Sequence, residues 1–142
     1  MNIKIALRLK GAKTPTYATD GSGCFDFYSR REATINSHMP CLFDTGVAIE
    51  IPEGHVMLIF SRSGHGFGHL TRLANCVGVI DSDYRGTIAV KLVNDGGPPL
   101  TLPAGSRIAQ GLILPLPCVD FEVVSELGDT ARGEGGFGST GA

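Results

Sequence analysis

Two runs of residues carry most of the chemistry available to this chain. The first is Gly78-Val-Ile-Asp-Ser-Asp-Tyr-Arg-Gly86, and the second is the terminal stretch Ala131-Arg-Gly-Glu-Gly-Gly-Phe-Gly-Ser-Thr-Gly-Ala142. In the first, Asp81 and Asp83 flank a turn after an apolar strand, and Tyr84 follows at once. Residues two apart in extended chain share a face, so both carboxylates are expected to point toward one site. A plain polar β-turn is the alternative. The terminal stretch has the composition of a disordered tail, since glycine gives up the most freedom on ordering and only Phe137 has apolar area to bury. It nevertheless holds a cation (Arg132), a ring (Phe137), two hydroxyls (Ser139, Thr140) and unobstructed amides such as that of Gly138. Those are the parts needed to close over a nucleotide: a guanidinium for phosphate, a ring for a base, amides and hydroxyls for the remaining oxygens.

Three shorter patches add polar groups. Gly21-Ser-Gly-Cys-Phe-Asp-Phe27 sets Asp26 between aromatics on a strand, where a strand-end acceptor is the plain reading. Phe60-Ser-Arg-Ser-Gly64 places Arg62 and Ser63 beside Gly64 at a strand end, the makings of a phosphate cradle. A surface arginine in a turn is the alternative. It is not a Walker loop, since no Gly-x-x-x-x-Gly-Lys-Ser/Thr occurs. In Gly105-Ser-Arg-Ile-Ala-Gln110, strand alternation means that Arg107 and Gln110 need not share a face. Gln110 offers its amide to a phosphate or a water, or caps a strand. His65 and His69 are four apart, but Gly66 stands where a helical zinc motif needs glutamate, so solvated loop histidines are expected. Cys24, Cys41, Cys76 and Cys118 show no Cys-x-x-Cys spacing and read as scattered reduced thiols.

The elements that must position these groups are strands. Ile3 to Leu9 alternates cleanly and reads as a half-buried strand. Further candidates are 24–28, 41–44, 47–51, 55–60, 87–93, 107–114 and 119–124. Turn signals separate them, among them Pro52-Glu-Gly54, Asn94-Asp-Gly-Gly-Pro-Pro99 and Pro115-Leu-Pro117. Ser61 to Gly68 has room for one helical turn at most, because each of its glycines costs about 1 kcal/mol against alanine. Many short strands with regular punctuation predict an all-β sandwich, jelly roll or barrel. The expected organisation is one domain over residues 1–127 followed by an arm over 128–142.

Bulk properties narrow the partners. A net charge of −2 over 142 residues argues against a nucleic-acid coat or a membrane-surface binder, both of which need excess cation. An anionic ligand must then be attracted by local cations or a bound metal. No apolar run reaches the length of a membrane span, and the opening residues are not a signal peptide, so a cytoplasmic setting is expected (that of the host cell if the source is viral).

Taken in order, the five patches resemble those of trimeric deoxyuridine triphosphatases, the dUTPase family, from Cys24 to Gly141. GVIDSDYRG and RGEGGFGSTG carry most of that resemblance. It implies a β jelly roll, a homotrimer with three active sites shared between subunits, and hydrolysis of dUTP to dUMP and pyrophosphate. Such an activity limits uracil in DNA and supplies dUMP for thymidylate synthesis. Asp81 then matches the carboxylate that activates water for attack on the α-phosphorus, with Gln110 nearby. Tyr84 matches the ring that packs on deoxyribose and leaves no space for a 2′-hydroxyl. Asn75 and the backbone of Gly78 and Ala89 match the hairpin that reads uracil. Arg62, Ser63, Gly64 and Gln110 match phosphate contacts. From the arm, Phe137 would stack on uracil, and Arg132, Gly138, Ser139 and Thr140 would hold the outer phosphates. Mg²⁺ is implied as cofactor, bound mainly by the phosphates, with Asp26 as an outer-sphere carboxylate.

The pattern has departures. Cys24 stands where glycine is usual, Ser61 replaces a proline, and the glycine-rich stretch after Gly64 suggests that the family's short helix is loose or absent. Two other functions stand beside this one. Deamination of deoxycytidine triphosphate on the same fold needs a glutamate and a rearranged third motif, which GVIDSDYRG lacks. A regulatory protein that keeps the site to sense nucleotide would retain the same residues.

Overall fold

The computed structural model describes residues 1–139 and 141. It contains twelve strands and one helix. In chain order these are β1 (Lys4–Leu7), β2 (Thr16–Tyr17), β3 (Phe25–Tyr28), β4 (Ala33–Ile35), β5 (Pro40–Asp44), β6 (Val47–Glu50) and β7 (His55–Phe60). Then follow α1 (Ser63–His69), β8 (Thr71–Leu73), β9 (Val77–Ile80), β10 (Ala89–Asn94), β11 (Leu100–Leu102) and β12 (Arg107–Pro115). The largest sheet has the order β2-β3-β12-β7-β9, and the others are β5-β10-β8, β1-β6 and β11-β4. All these ladders are antiparallel. The architecture is the expected all-β jelly roll.

The core lies where the inner faces meet, around Phe27, Ile35, Phe43, Met57, Leu92 and Ile108. Its packing dictates a glycine. A Cβ on Gly111 would stand 2.6 Å from Phe25 Cε2 and 2.9 Å from Phe27 Cε2, so only glycine lets β12 pass under that edge-on ring pair. A second packed device is Asn94, which is fully buried. Its Oδ1 accepts from the amides of Gly96 and Gly97, and its Nδ2 donates to the carbonyls of Gly97 and Pro98. That closes the glycine–proline loop without orphaned backbone.

Four expectations need correction. Residues 119–124 are not a strand: they are exposed and unpaired, because Pro115 and Pro117 end β12 and no sheet edge of the same chain lies alongside. The glycine-rich stretch after Arg62 forms α1, seven residues long, and not a single turn. Its one buried residue, His65, and a left-handed cap at Leu70, whose amide returns to the His65 carbonyl, hold a helix that its glycines disfavour. His65 on that helix is 8% exposed and therefore not a solvated loop histidine, although His69 is exposed. Finally, β1 is exposed along its whole length within the chain, so its alternating pattern is not half-buried here. The short strands β2, β4, β8 and β11 have too few residues for alternation to reveal them.

Candidate active site

One outer face of the five-stranded sheet gathers the cradle residues. On β3, Asp26 and Tyr28 share a face, opposite to Phe25 and Phe27. Across the ladder, Gln110 lies opposite Asp26 and Arg107 opposite Tyr28. Three residues separate Arg107 and Gln110 in sequence, so simple alternation would split them. A β-bulge between Arg107 and Ala109 absorbs one residue and returns both to the same face. Local sequence carries no marker for that bulge, which is why strand periodicity leaves their relation open.

Arg62 reaches the same face from the end of β7. Its backbone is extended at φ −90° and ψ 137°, two residues beyond Phe60, which pairs with Gln110. Arg62 Nε donates to Asp26 Oδ1 at 2.9 Å, and Arg107 Nη1 donates to Asp26 Oδ2 at 3.3 Å. Asp26 is only 6% exposed, so this pairing offsets the cost of burying its charge. Among the described residues, the terminal nitrogens of Arg62 have no protein partner, which leaves two donors of a fixed fork for an incoming anion. Ser63 and Gly64 are exposed at the start of α1.

Ser61 is used on both sides. Its Oγ accepts from the amide of Leu73 at 2.8 Å, and its carbonyl accepts from Gln110 Nε2 at 2.9 Å. The latter bond points the Gln110 amide and leaves its Oε1 free to accept from a water. Behind the cradle, His65 Nδ1 is buried without a hydrogen-bond partner among the described residues. Burial lowers the His65 pKa, and the nearby Arg62 and His69 cations lower it further.

The strand and loop carrying Gly78 to Gly86 lie elsewhere. β9 pairs with β7 so that Val77 faces Phe60, Gly78 faces Ile59 and Ile80 faces Met57. A Cβ on Gly78 would come 3.2 Å from Ile59 Cβ, so this backbone runs close to its neighbour. Asp81 and Asp83 do not share a face as in extended chain. The amide of Tyr84 bonds the Asp81 carbonyl at 3.2 Å and turns the chain between them. Tyr84 Oη donates to the Thr87 carbonyl at 3.1 Å and lays its ring over Gly86. Asn75, two residues before β9, and Ala89, the first residue of β10, are exposed.

The register keeps these groups apart within one chain. Arg62 lies two residues past one end of the β7–β9 ladder, and Asp81 lies past the other end. The two are separated by about six residues of strand, roughly 20 Å. The structure thus brings together Asp26, Arg62, Arg107 and Gln110. Asp81 and Tyr84 follow the far end of β9, Gly78 lies within that strand, Asn75 precedes its start and Ala89 opens β10. Among the described residues, the arm joins neither group. Arg132 Nε donates to the Gly135 carbonyl at 2.7 Å, Phe137 is fully exposed, and the hydrogen bonds of Gly133, Gly135 and Ser139 are local turns. Gly138 sits at φ +94°, a backbone that favours glycine. Thr140 lies outside the described residues.

Among the described residues, no three His, Cys, Asp or Glu side chains cluster to hold a metal ion. No helix there is long and apolar enough to cross a membrane. Sequence reasoning missed the part played by Arg107, which no local pattern announces.

The family model described as dUTPase matches residues 10–141. The deoxyuridine 5′-triphosphate nucleotidohydrolase of Desulfitobacterium hafniense (strain DSM 10664 / DCB-2) is 42% identical over 146 residues, covering 99% of this chain and 97% of its own. That of Helicobacter pylori (strain P12) is 37% identical over 141 residues, with 99% and 97% covered. Among solved structures, the Staphylococcus bacteriophage 80alpha dUTPase with dUPNHPP matches with a TM-score of 0.92 at 25% identity, covering 99% of both chains. Matches of this extent define a nucleotide-hydrolysing enzyme. The chain belongs to the dUTPase family, and its activity is that of a dUTP nucleotidohydrolase.

Proposed function

We propose that this enzyme cleaves dUTP between the α- and β-phosphates to give dUMP and pyrophosphate, in sites shared among three copies of the chain. The observation that carries the shared site is the distance of roughly 20 Å along the sheet between Arg62 and Asp81. A water held by Asp81 cannot reach a phosphate held by the same chain's Arg62, Ser63 and Gly64. One copy would supply the Asp81–Tyr84 loop, a second the cradle, and a third the arm over residues 128–142. The exposed segment 119–124 supports assembly too: Val119, Phe121 and Val123 alternate with Asp120 and Glu122 and find no strand in their own chain.

In this reading Asp81 takes a proton from water as the oxygen attacks the α-phosphorus, and the electron pair of the bridging bond leaves with pyrophosphate. General-base assistance is worth about 10²–10⁴-fold. Gln110, aimed by Ser61, orients that water. Tyr84, braced on Gly86, fills the space a 2′-hydroxyl would need. Asn75 with the Gly78 and Ala89 backbone reads uracil, and buried hydrogen-bonding of that kind rejects cytosine more sharply than an apolar pocket rejects a methyl. Phe137 stacks on the base, while Arg132, Gly138, Ser139 and Thr140 bind the outer phosphates.

The hard oxygens of the Asp26 carboxylate, set beside the cradle, fit a magnesium ion carried mainly by the triphosphate and reached through its waters. Such an ion would neutralise phosphate charge. Asp26, whose oxygens each retain a lone pair beyond their guanidinium bonds, is the carboxylate placed to accept from a metal-bound water. The reaction would keep uracil out of DNA and provide dUMP, a role we place in the cytoplasm.

The test mixes two inactive variants. Asp81→Asn and a chain ending at Thr130 are each assayed for pyrophosphate release from dUTP, then co-refolded and assayed again. Shared sites regain activity in mixed trimers, because one chain brings Asp81 and another the arm. No recovery, with mixed trimers present by native mass spectrometry, would mean that each chain works alone.

A further inference from the structure

The loop that carries Tyr84 has no ladder to hold it. Between the end of β9 and Ile88 the backbone is irregular, and three of its carbonyls are held by guanidinium groups. Arg85 Nη1 donates to the Ser82 carbonyl at 2.6 Å and to the Tyr84 carbonyl at 3.1 Å. Both bonds stay inside the loop. The third runs from outside: Arg8 Nη1 donates to the Arg85 carbonyl at 2.6 Å, across 77 residues of sequence. Among the described residues it is the one side-chain hydrogen bond tying Ser82–Thr87 to a distant segment.

Arg8 is itself well founded. It follows β1, which is zipped to β6, and its amide donates to the Gly46 carbonyl at 2.8 Å. Gly46 sits at φ +71°, and a Cβ there would lie 2.9 Å from Leu9 Cβ and 3.0 Å from Ala12 Cβ. Only glycine lets the amino-terminal segment come this close. The tether therefore runs from a fixed point in the sheet to the peptide that follows Tyr84.

We propose that Arg8 is a positioning residue for dUTP hydrolysis, holding the Asp81–Gly86 loop so that Asp81 and Tyr84 keep their reactive geometry. The inference rests on the reading of Asp81 as base and Tyr84 as sugar platform. A group of this kind acts on the chemical step more than on binding, because the phosphate contacts lie on other elements and a misplacement of about 1 Å in the reacting groups costs up to about 10²-fold.

The test compares wild type, Arg8→Ala and Arg8→Lys by steady-state kinetics with dUTP and Mg²⁺, and by amide hydrogen exchange over residues 81–88. Arg8→Ala is expected to lose about tenfold in kcat with KM changed less than about twofold, while exchange across Ser82–Thr87 rises several-fold. Arg8→Lys, which still donates to the same carbonyl, should recover most of the rate. Arg8→Met, which keeps the aliphatic stem without the donor, serves if the alanine variant does not fold. Unchanged kcat in Arg8→Ala would overturn the proposal. So would equal losses in the lysine and alanine variants with exchange raised over every sheet, which is general destabilisation. An inactive wild type would count against the proposed reaction, and exchange in Arg8→Ala would still decide whether the tether exists.

Discussion

Arg62 Nε and Asp26 Oδ1 meet at 2.9 Å across 36 residues of sequence, and the carboxylate is almost wholly buried where they meet. This relationship orients the guanidinium through its inner nitrogen and leaves the outer two for phosphate. Asp26→Asn keeps the shape but leaves two guanidinium groups beside a neutral amide. We expect kcat/KM for dUTP to fall at least tenfold and stability to drop by about 2 kcal/mol, discounted from fully buried pairs because Arg107 is half exposed. Urea unfolding and steady-state kinetics on one preparation check both figures. A variant with normal kinetics would show that Arg62 does not need its partner.

Ending the chain at Thr130 should leave the fold intact, because no described residue beyond Pro117 belongs to the core. Turnover should fall by about 10² or more, since stacking and outer-phosphate contacts go together. Circular dichroism and pyrophosphate release measure the two halves. The chain has no tryptophan, so Phe137→Trp in the full-length protein reports arm closure by fluorescence on adding a non-hydrolysable dUTP analogue.

Gly86 is tied to the choice of sugar. A Cβ at that position would clash with the phenolic end of Tyr84, 2.5 Å from its Cζ and 3.0 Å from Cε2. Gly86→Ala must push the ring away, so discrimination between dUTP and UTP should weaken by about tenfold in the ratio of kcat/KM values. Unchanged discrimination would remove Tyr84 from sugar recognition.

His65 predicts a pH dependence whose sign is fixed by its lowered pKa. Above the unfolded value of about 6.5 the ring is neutral in both states and contributes nothing to the pH slope. As pH falls below it, the unfolded chain takes up a proton that the folded one resists, so stability falls down to the folded pKa. His65→Leu removes that slope and also the unpartnered Nδ1, and should raise stability by about 1 kcal/mol. Melting temperatures between pH 5 and about 8 for both proteins decide it: parallel curves would exclude His65 as the source.

The sequence by itself determined the strand-rich class and the candidate chemical groups. Alternation over 55–60 and 107–114 is a local signal, because side chains of a strand swap faces at every residue. The glycine-rich arm and the Asp81–Tyr84 turn were legible for the same reason, since composition and spacing carry them. What only the tertiary structure decided are facts about neighbours distant in sequence. The bulge that places Arg107 beside Gln110, the guanidinium pair on Asp26 and the Arg8 bond to Arg85 all depend on which strand lies next to which. Burial of His65 stabilised a helix that its glycines disfavour. Residues 119–124 have a strand's pattern, yet a strand forms only where an edge lies alongside to pair with it, and among the described residues this segment pairs with none.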